Sequence, residues 1–142
     1  MTRLAANRSI QDVMVIPVLH YQDVAVAAQW LGEAFGYSER LRIGDHRIQL
    51  NIADGAGAVV VAQRPQPAPA CPHPCHSIMV RVTDIDEHYK RAMASKARSL
   101  SPPTNYPFGE RQYSVADPGG HIWTFSQTIA DVDPASWGGT LL

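Results

Sequence analysis

Met14-Val15-Ile16-Pro17-Val18-Leu19-His20-Tyr21-Gln22-Asp23-Val24-Ala25-Val26-Ala27-Ala28-Gln29-Trp30-Leu31 is the stretch that decides the fold. Its first half is an apolar run rich in β-branched residues, the composition of a buried strand. Asp23 follows at the position of a helix N-cap, where its carboxylate can accept an orphan backbone N–H of the first turn. Val24, Ala27, Ala28, Leu31 and Phe35 then recur at helical spacing and predict one buried stripe. Gly36 ends that helix, because glycine reaches the left-handed conformation of a C-terminal stop without a Cβ penalty.

Downstream, three short strands are expected at residues 38–43, 46–52 and 58–63, punctuated by Gly44-Asp45 and Asp54-Gly55. After a proline-rich stretch the same order restarts. A strand at 77–82 leads to Asp84, which caps a helix running to about Lys96. A short strand near 98–100 and a Pro/Asn loop at 101–109 follow. Strands at 111–116 and 121–127 then flank the turn Asp117-Pro118-Gly119-Gly120. Shifting the chain by 61 positions lays Val18-Leu19 on Met79-Val80 and Asp23-Val24 on Asp84-Ile85. The expected fold class is therefore α+β, two tandem βαβββ modules at 13–63 and 76–127. An N-terminal extension (1–12), a semi-rigid proline-rich linker (64–75) and a C-terminal tail (128–142) complete the chain. Either half alone would be too small to bury its helix well.

With 142 residues, 45% of them hydrophobic and 18% charged, the chain has enough apolar material for a core, which excludes disorder throughout. Net charge is −1 with signs mixed and no Lys/Arg run, so neither nucleic acid nor a membrane surface is an expected partner. The polar first residues and the absence of a long apolar stretch lead to the expectation of a cytoplasmic protein, with Cys71 and Cys75 as thiols.

Six strings stand in order along the chain: His20-Tyr21-Gln22-Asp23-Val24, Trp30-Leu31, Ala34-Phe35-Gly36-Tyr37, Val82-Thr83-Asp84-Ile85-Asp86, Gly109-Glu110-Arg111-Gln112-Tyr113 and Asp117-Pro118-Gly119-Gly120-His121-Ile122-Trp123-Thr124-Phe125. Together, over about residues 13 to 127, they resemble the vicinal-oxygen-chelate superfamily, the group of glyoxalases, bleomycin-resistance proteins and extradiol dioxygenases. The resemblance implies that the modules form a cupped mixed sheet with helices on its outer face and ligand inside. It also implies a homodimer, for which the sheet edges of an open cup give a physical reason.

Metal-dependent members of that group place His, Gln or Glu at four inward positions. Carried onto this chain, these fall on Ile16, Ser77, Thr124 and a residue of 58–63, where only Gln63 could ligate. Isoleucine has no lone pair to donate, and hydroxyls are poor ligands for divalent transition metals. The expectation is a site without metal or other cofactor, a divalent metal being the alternative. His76 would turn inward on a one-residue slip and is the weak metal candidate. Cys71, His73, Cys75 and His76 cluster at the end of the linker and the start of the second module, but no second ligand pair of zinc-finger spacing accompanies them.

Side-chain alternation places Ile16, Val18 and His20 on the inward face of one module. It places Ser77, Met79, Arg81, Ile122, Thr124 and Ser126 on that of the other, with Trp123 and Phe125 toward the helix. The expected ligand-binding set is His20, Met79, Arg81, Thr124 and Ser126, with Tyr106 and Phe108 on a loop able to flank an aromatic ring. His20 is also the weak catalytic candidate, by virtue of an imidazole suited to proton transfer near neutrality. Arg81 can hold an anion or pair with Glu110, and His121 reads as a turn-packing residue. Gly138-Gly139 reads as flexible tail, and Trp137 as packing on the body or on a second subunit. Two functions remain: a metal-free binder of an amphipathic or aromatic small molecule, such as an antibiotic held by sequestration, and an enzyme (lyase, isomerase or dioxygenase) with a non-standard metal or a His20 acid/base.

Overall fold

The computed structural model describes residues 4–64 and 76–141. The proline-rich segment 65–75, with Cys71, His73 and Cys75, lies outside the described residues. The chain divides into two compact units, one through residue 70 and one from residue 71.

The first unit runs β1 (Val18–Tyr21), α1 (Val24–Phe35), β2 (Ser38–Ile43), β3 (Arg47–Ile52) and β4 (Gly57–Gln63). Its sheet has the order β1-β4-β3-β2, with β1 parallel to β4 and the other pairs antiparallel. Asp23 caps α1 by accepting the Val26 N–H at 3.1 Å, and Gly36 ends it at φ 81°. The helix buries Val24, Ala28, Leu31, Ala34 and Phe35. Register puts Leu19, Ile48, Leu50, Val59 and Val61 on one face of the sheet, and all five are buried, forming the core beneath α1. Apolar area removed from water at about 25 cal/mol per Å² is the main term holding the helix down.

The second unit repeats the plan with β5 (Ile78–Arg81), α2 (Ile85–Ala94), β6 (Arg98–Tyr106), β7 (Glu110–Ala116) and β8 (Ile122–Thr128), in the order β5-β8-β7-β6. Asp84 caps α2 through the Glu87 N–H at 3.2 Å. Tyr113, Val115, Trp123 and Phe125 are fully buried on the helix side, with the His88 ring of α2 4.2 Å from that of Phe125. The fold is α+β, two tandem βαβββ modules, each with its helix on one face of its own sheet.

Three expectations need correction. Residues 101–106 are not loop: β6 continues through Pro102 and Pro103 to Tyr106. It can do so because it is an edge strand, and its pairing with β7 slips between Ser101 and Thr104, so neither proline owes the ladder an N–H. The tail is not featureless either. Residues Pro134–Trp137 form one 3-10 turn that Asp133 caps, and Gly138 closes it in the left-handed conformation. Finally, Gln63 shares a face with Leu19, Tyr21 and Val61, the helix side of the sheet.

Candidate functional site

On the second sheet, the face turned away from α2 is polar. Three cross-strand rows are read off the register: Met79–Thr124–Ser114–Ser101, Arg81–Ser126–Gln112–Thr104, and Thr128–Glu110–Tyr106. Met79, Arg81, Thr124 and Ser126, each expected to bind ligand, therefore sit together on two neighbouring strands. Tyr106 joins them at one end as a strand residue.

Hydrogen bonds lock this face. Ser126, buried, donates its hydroxyl to Glu110 Oε1 at 2.5 Å, and the Gln112 amide donates to the same oxygen at 3.0 Å. The hydroxyls of Ser114 and Thr124 bond at 2.8 Å. The Arg81 guanidinium donates to Thr128 Oγ1 at 3.2 Å and forms no ion pair with Glu110 or any other carboxylate among the described residues. Of the two roles open to Arg81, pairing with Glu110 is thus not the one taken. Met79 is 59% exposed on the same face and supplies an adaptable apolar contact. The arrangement offers a cation, fixed hydroxyl dipoles and a thioether around a patch of sheet.

Tyr106 and Phe108 stack on each other, their centroids 5.4 Å apart and planes 13° from parallel, and Trp137 packs edge-on against Phe108 at 5.6 Å. Trp137 thus packs on its own unit. Gly109 makes this junction possible. Its φ is +85°, and a Cβ there would lie 2.1 Å from the carbonyl oxygen of Ala130, so the tail can cross over it only while it is glycine.

His20 lies in the other unit, exposed on edge strand β1 in register with Ala62. His76 is exposed just before β5, its ring 6.5 Å from that of His121. The backbone of His121 closes the Asp117 turn, as a turn-packing residue should.

The residues present do not fit the family's metal. By register, the first-unit counterpart of Thr124 is Val60, since Val18 pairs with Val60 as Met79 pairs with Thr124. Gln63 instead donates its amide to Gln22 O at 2.9 Å, anchoring the entry to α1. Gln127 does the same for α2, accepting the Ile85 N–H at 2.9 Å. Ile16, Val60, Ser77 and Thr124 present no imidazole or carboxylate. Among the described residues, no group of three His, Cys, Asp or Glu side chains could hold a metal ion.

Glu110, Gln112, Ser114 and Thr128 were not among the expected site residues. Alternation was the available signal: along 110–116 it places Glu110, Gln112 and Ser114 opposite the apolar Tyr113 and Val115, and along 122–128 it places Thr128 with Thr124 and Ser126.

Two βαβββ units, each with its helix on one side of a four-stranded sheet, define a paired-module α+β protein of the glyoxalase type. The family model of the Glyoxalase/Bleomycin resistance protein/Dioxygenase superfamily matches residues 13–125, and the chain belongs to that superfamily. Among solved structures, it is similar to TioX from Micromonospora sp. ML1, with 34% identity and a TM-score of 0.70 over 82% of this chain and 98% of that one. A glyoxalase-related enzyme from Fulvimarina pelagi shares the fold at 22% identity and a TM-score of 0.67, over 82% of this chain and 88% of that one. An uncharacterized protein of Mycobacterium bovis is 33% identical over 57 residues, 40% of this chain and 38% of that protein. The match thus spans little more than a third of that relative. Among the described residues, no helix is long and apolar enough to cross a membrane.

Proposed function

We propose that the protein is a binding member of its superfamily, holding an amphipathic or aromatic small molecule against the open face of the second-module sheet without a metal. The observation that carries this reading is the Ser126–Glu110–Gln112 network. It fixes polar groups beside the uncompensated Arg81 and the exposed Met79, the mixture of apolar surface and few oriented polar groups that small-molecule sites use. Hydroxyls, an amide, a thioether and a single carboxylate already engaged by Ser126 and Gln112 suit recognition and not transition-metal chelation. Sequestration of an antibiotic is one use of such a site.

The test is a thermal-shift screen of aromatic antibiotics and small metabolites. Hits are titrated calorimetrically before and after chelation, and the ligand is recovered for mass analysis. Unchanged ligand, equal affinity after chelation and at least tenfold weaker binding by Met79→Ala or Glu110→Gln are expected. A screen without hits, binding lost on chelation, or a chemically altered ligand would sink the reading; the last outcome would turn attention to His20. The protein acts as a homodimer in this reading, since edge strands β1, β2, β5 and β6 leave backbone groups to cover. Light scattering that gives a monomer mass at micromolar concentration would remove that part.

A further inference from the structure

Residues 4–12 precede the part of the chain that matches the superfamily, yet they are built onto the first sheet. Gln49 of β3 points away from α1 and is buried. Its amide donates to Ser9 O at 2.7 Å, and its carbonyl accepts from Arg40 Nη1 at 2.5 Å. Arg40 Nη2 reaches Arg8 O at 3.0 Å, and the Gln11 amide reaches Leu50 O at 3.0 Å. Three side chains thus fasten a turn, itself tied by Ser9 to Asn7 Oδ1, to the sheet.

Residues 4–8 and 10–14, with Arg40, wall an open-mouthed cavity of about 850 Å³, within the range of small-molecule sites. We propose that this cavity is a second small-molecule site, separate from the open face of the second module, and that its occupant is an amphipathic anion. Leu4, Ile10 and Met14 are 40%, 49% and 69% exposed, leaving apolar wall for an apolar body. Arg8 and Arg40 against Asp12 leave the wall with an excess of one positive charge. The two terminal nitrogens of the Arg40 fork are spent on Gln49 Oε1 and Arg8 O, whereas the Arg8 guanidinium has no hydrogen bond or ion pair among the described residues. Arg8 is therefore the group left to meet an anion.

The experiment titrates the full chain with two fluorescent probes of nearly the same ring body, anilinonaphthalene sulfonate (anionic) and N-phenylnaphthylamine (neutral). The expected result, in the parent chain and equally in Met79→Ala, is a saturable site that holds the anion at least fivefold more tightly than the neutral probe. Arg8→Gln should erase that preference while leaving the neutral probe unchanged, and Ile10→Ser should weaken both. A chain lacking residues 1–12, in a Met79→Ala background that weakens the second-module face, should bind neither. Equal affinity for the two probes, unchanged anion binding by Arg8→Gln, persistence of binding in the shortened chain, or no saturable anion site would each overturn the proposal. Should the shortened chain not fold, by circular dichroism, the two point variants decide the matter.

Discussion

Asp117 accepts the indole N–H of Trp123 on Oδ2 at 3.0 Å while Oδ1 takes the backbone N–H groups of Gly119 and His121 at 3.0 and 2.9 Å. Both residues are buried, so one carboxylate ties the β7–β8 turn to the largest side chain of the second core. Asp117→Ala leaves a buried indole N–H and two turn N–H groups without this acceptor. A loss of about 2–4 kcal/mol is expected from buried donors left unmade. Urea denaturation followed by Trp fluorescence measures it, and a loss under about 0.5 kcal/mol would show that water replaces the carboxylate.

Burial, and secondarily the neighbouring Tyr89, holds the phenol proton of Tyr113 more tightly than usual. That hydroxyl meets His88 Nδ1 at 2.5 Å between α2 and the sheet. A group that is neutral when protonated and whose folded pKa is raised adds stability below its unfolded value near 10, and this stability is lost as pH rises past it. Stability should therefore fall above about pH 10 in the parent chain and fall less steeply in Tyr113→Phe. At neutral pH that variant should lose about 1 kcal/mol with its hydrogen bond. Parallel alkaline limbs in the two proteins would mean that Tyr113 does not carry the effect.

Gln49 makes another local dependence measurable. In Gln49→Ala the turn at residues 7–11 loses its bond to Ser9 O, and Arg40 loses a partner. Amide exchange should quicken in residues 8–11 while the buried strand residues Ile48 and Val61 stay protected, because opening of the turn is a local event. Uniform loss of protection would instead make the turn part of the cooperative core.

How much of this was legible beforehand follows from how local each signal is. Both helix caps, Asp23 and Asp84, could be read because a cap is a contact within three residues. The helix-side parity of Trp123 and Phe125 was legible for the same reason, as an alternation over five residues. The continuation of β6 through Pro102 and Pro103 was not, since proline argues against a strand until the strand is known to be an edge. Placing Gln63 required the register of β1 against β4, and Ser126–Glu110 spans a 16-residue separation. The seating of residues 7–11 on β3, 40 residues away, has no sequence period that would announce it.

Gly109 is the position where one methyl group should have the farthest reach. At φ +85° a side chain is strained, and a Cβ there would meet the Ala130 carbonyl at 2.1 Å, a backbone atom that cannot turn aside. That carbonyl belongs to the stretch whose Ile129 and Ala130 N–H groups both bond to Gly109 O, at 2.8 and 3.2 Å. Gly109→Ala must therefore push the tail away, and the tail carries Trp137 from its seat on Phe108. A loss of roughly 2–4 kcal/mol is expected from backbone strain and lost packing. Quenching by acrylamide of the Trp137 signal, isolated in a Trp30→Phe, Trp123→Phe background, should rise. If Gly109→Ala leaves both stability and quenching unchanged, the crossing at this glycine does not hold the tail.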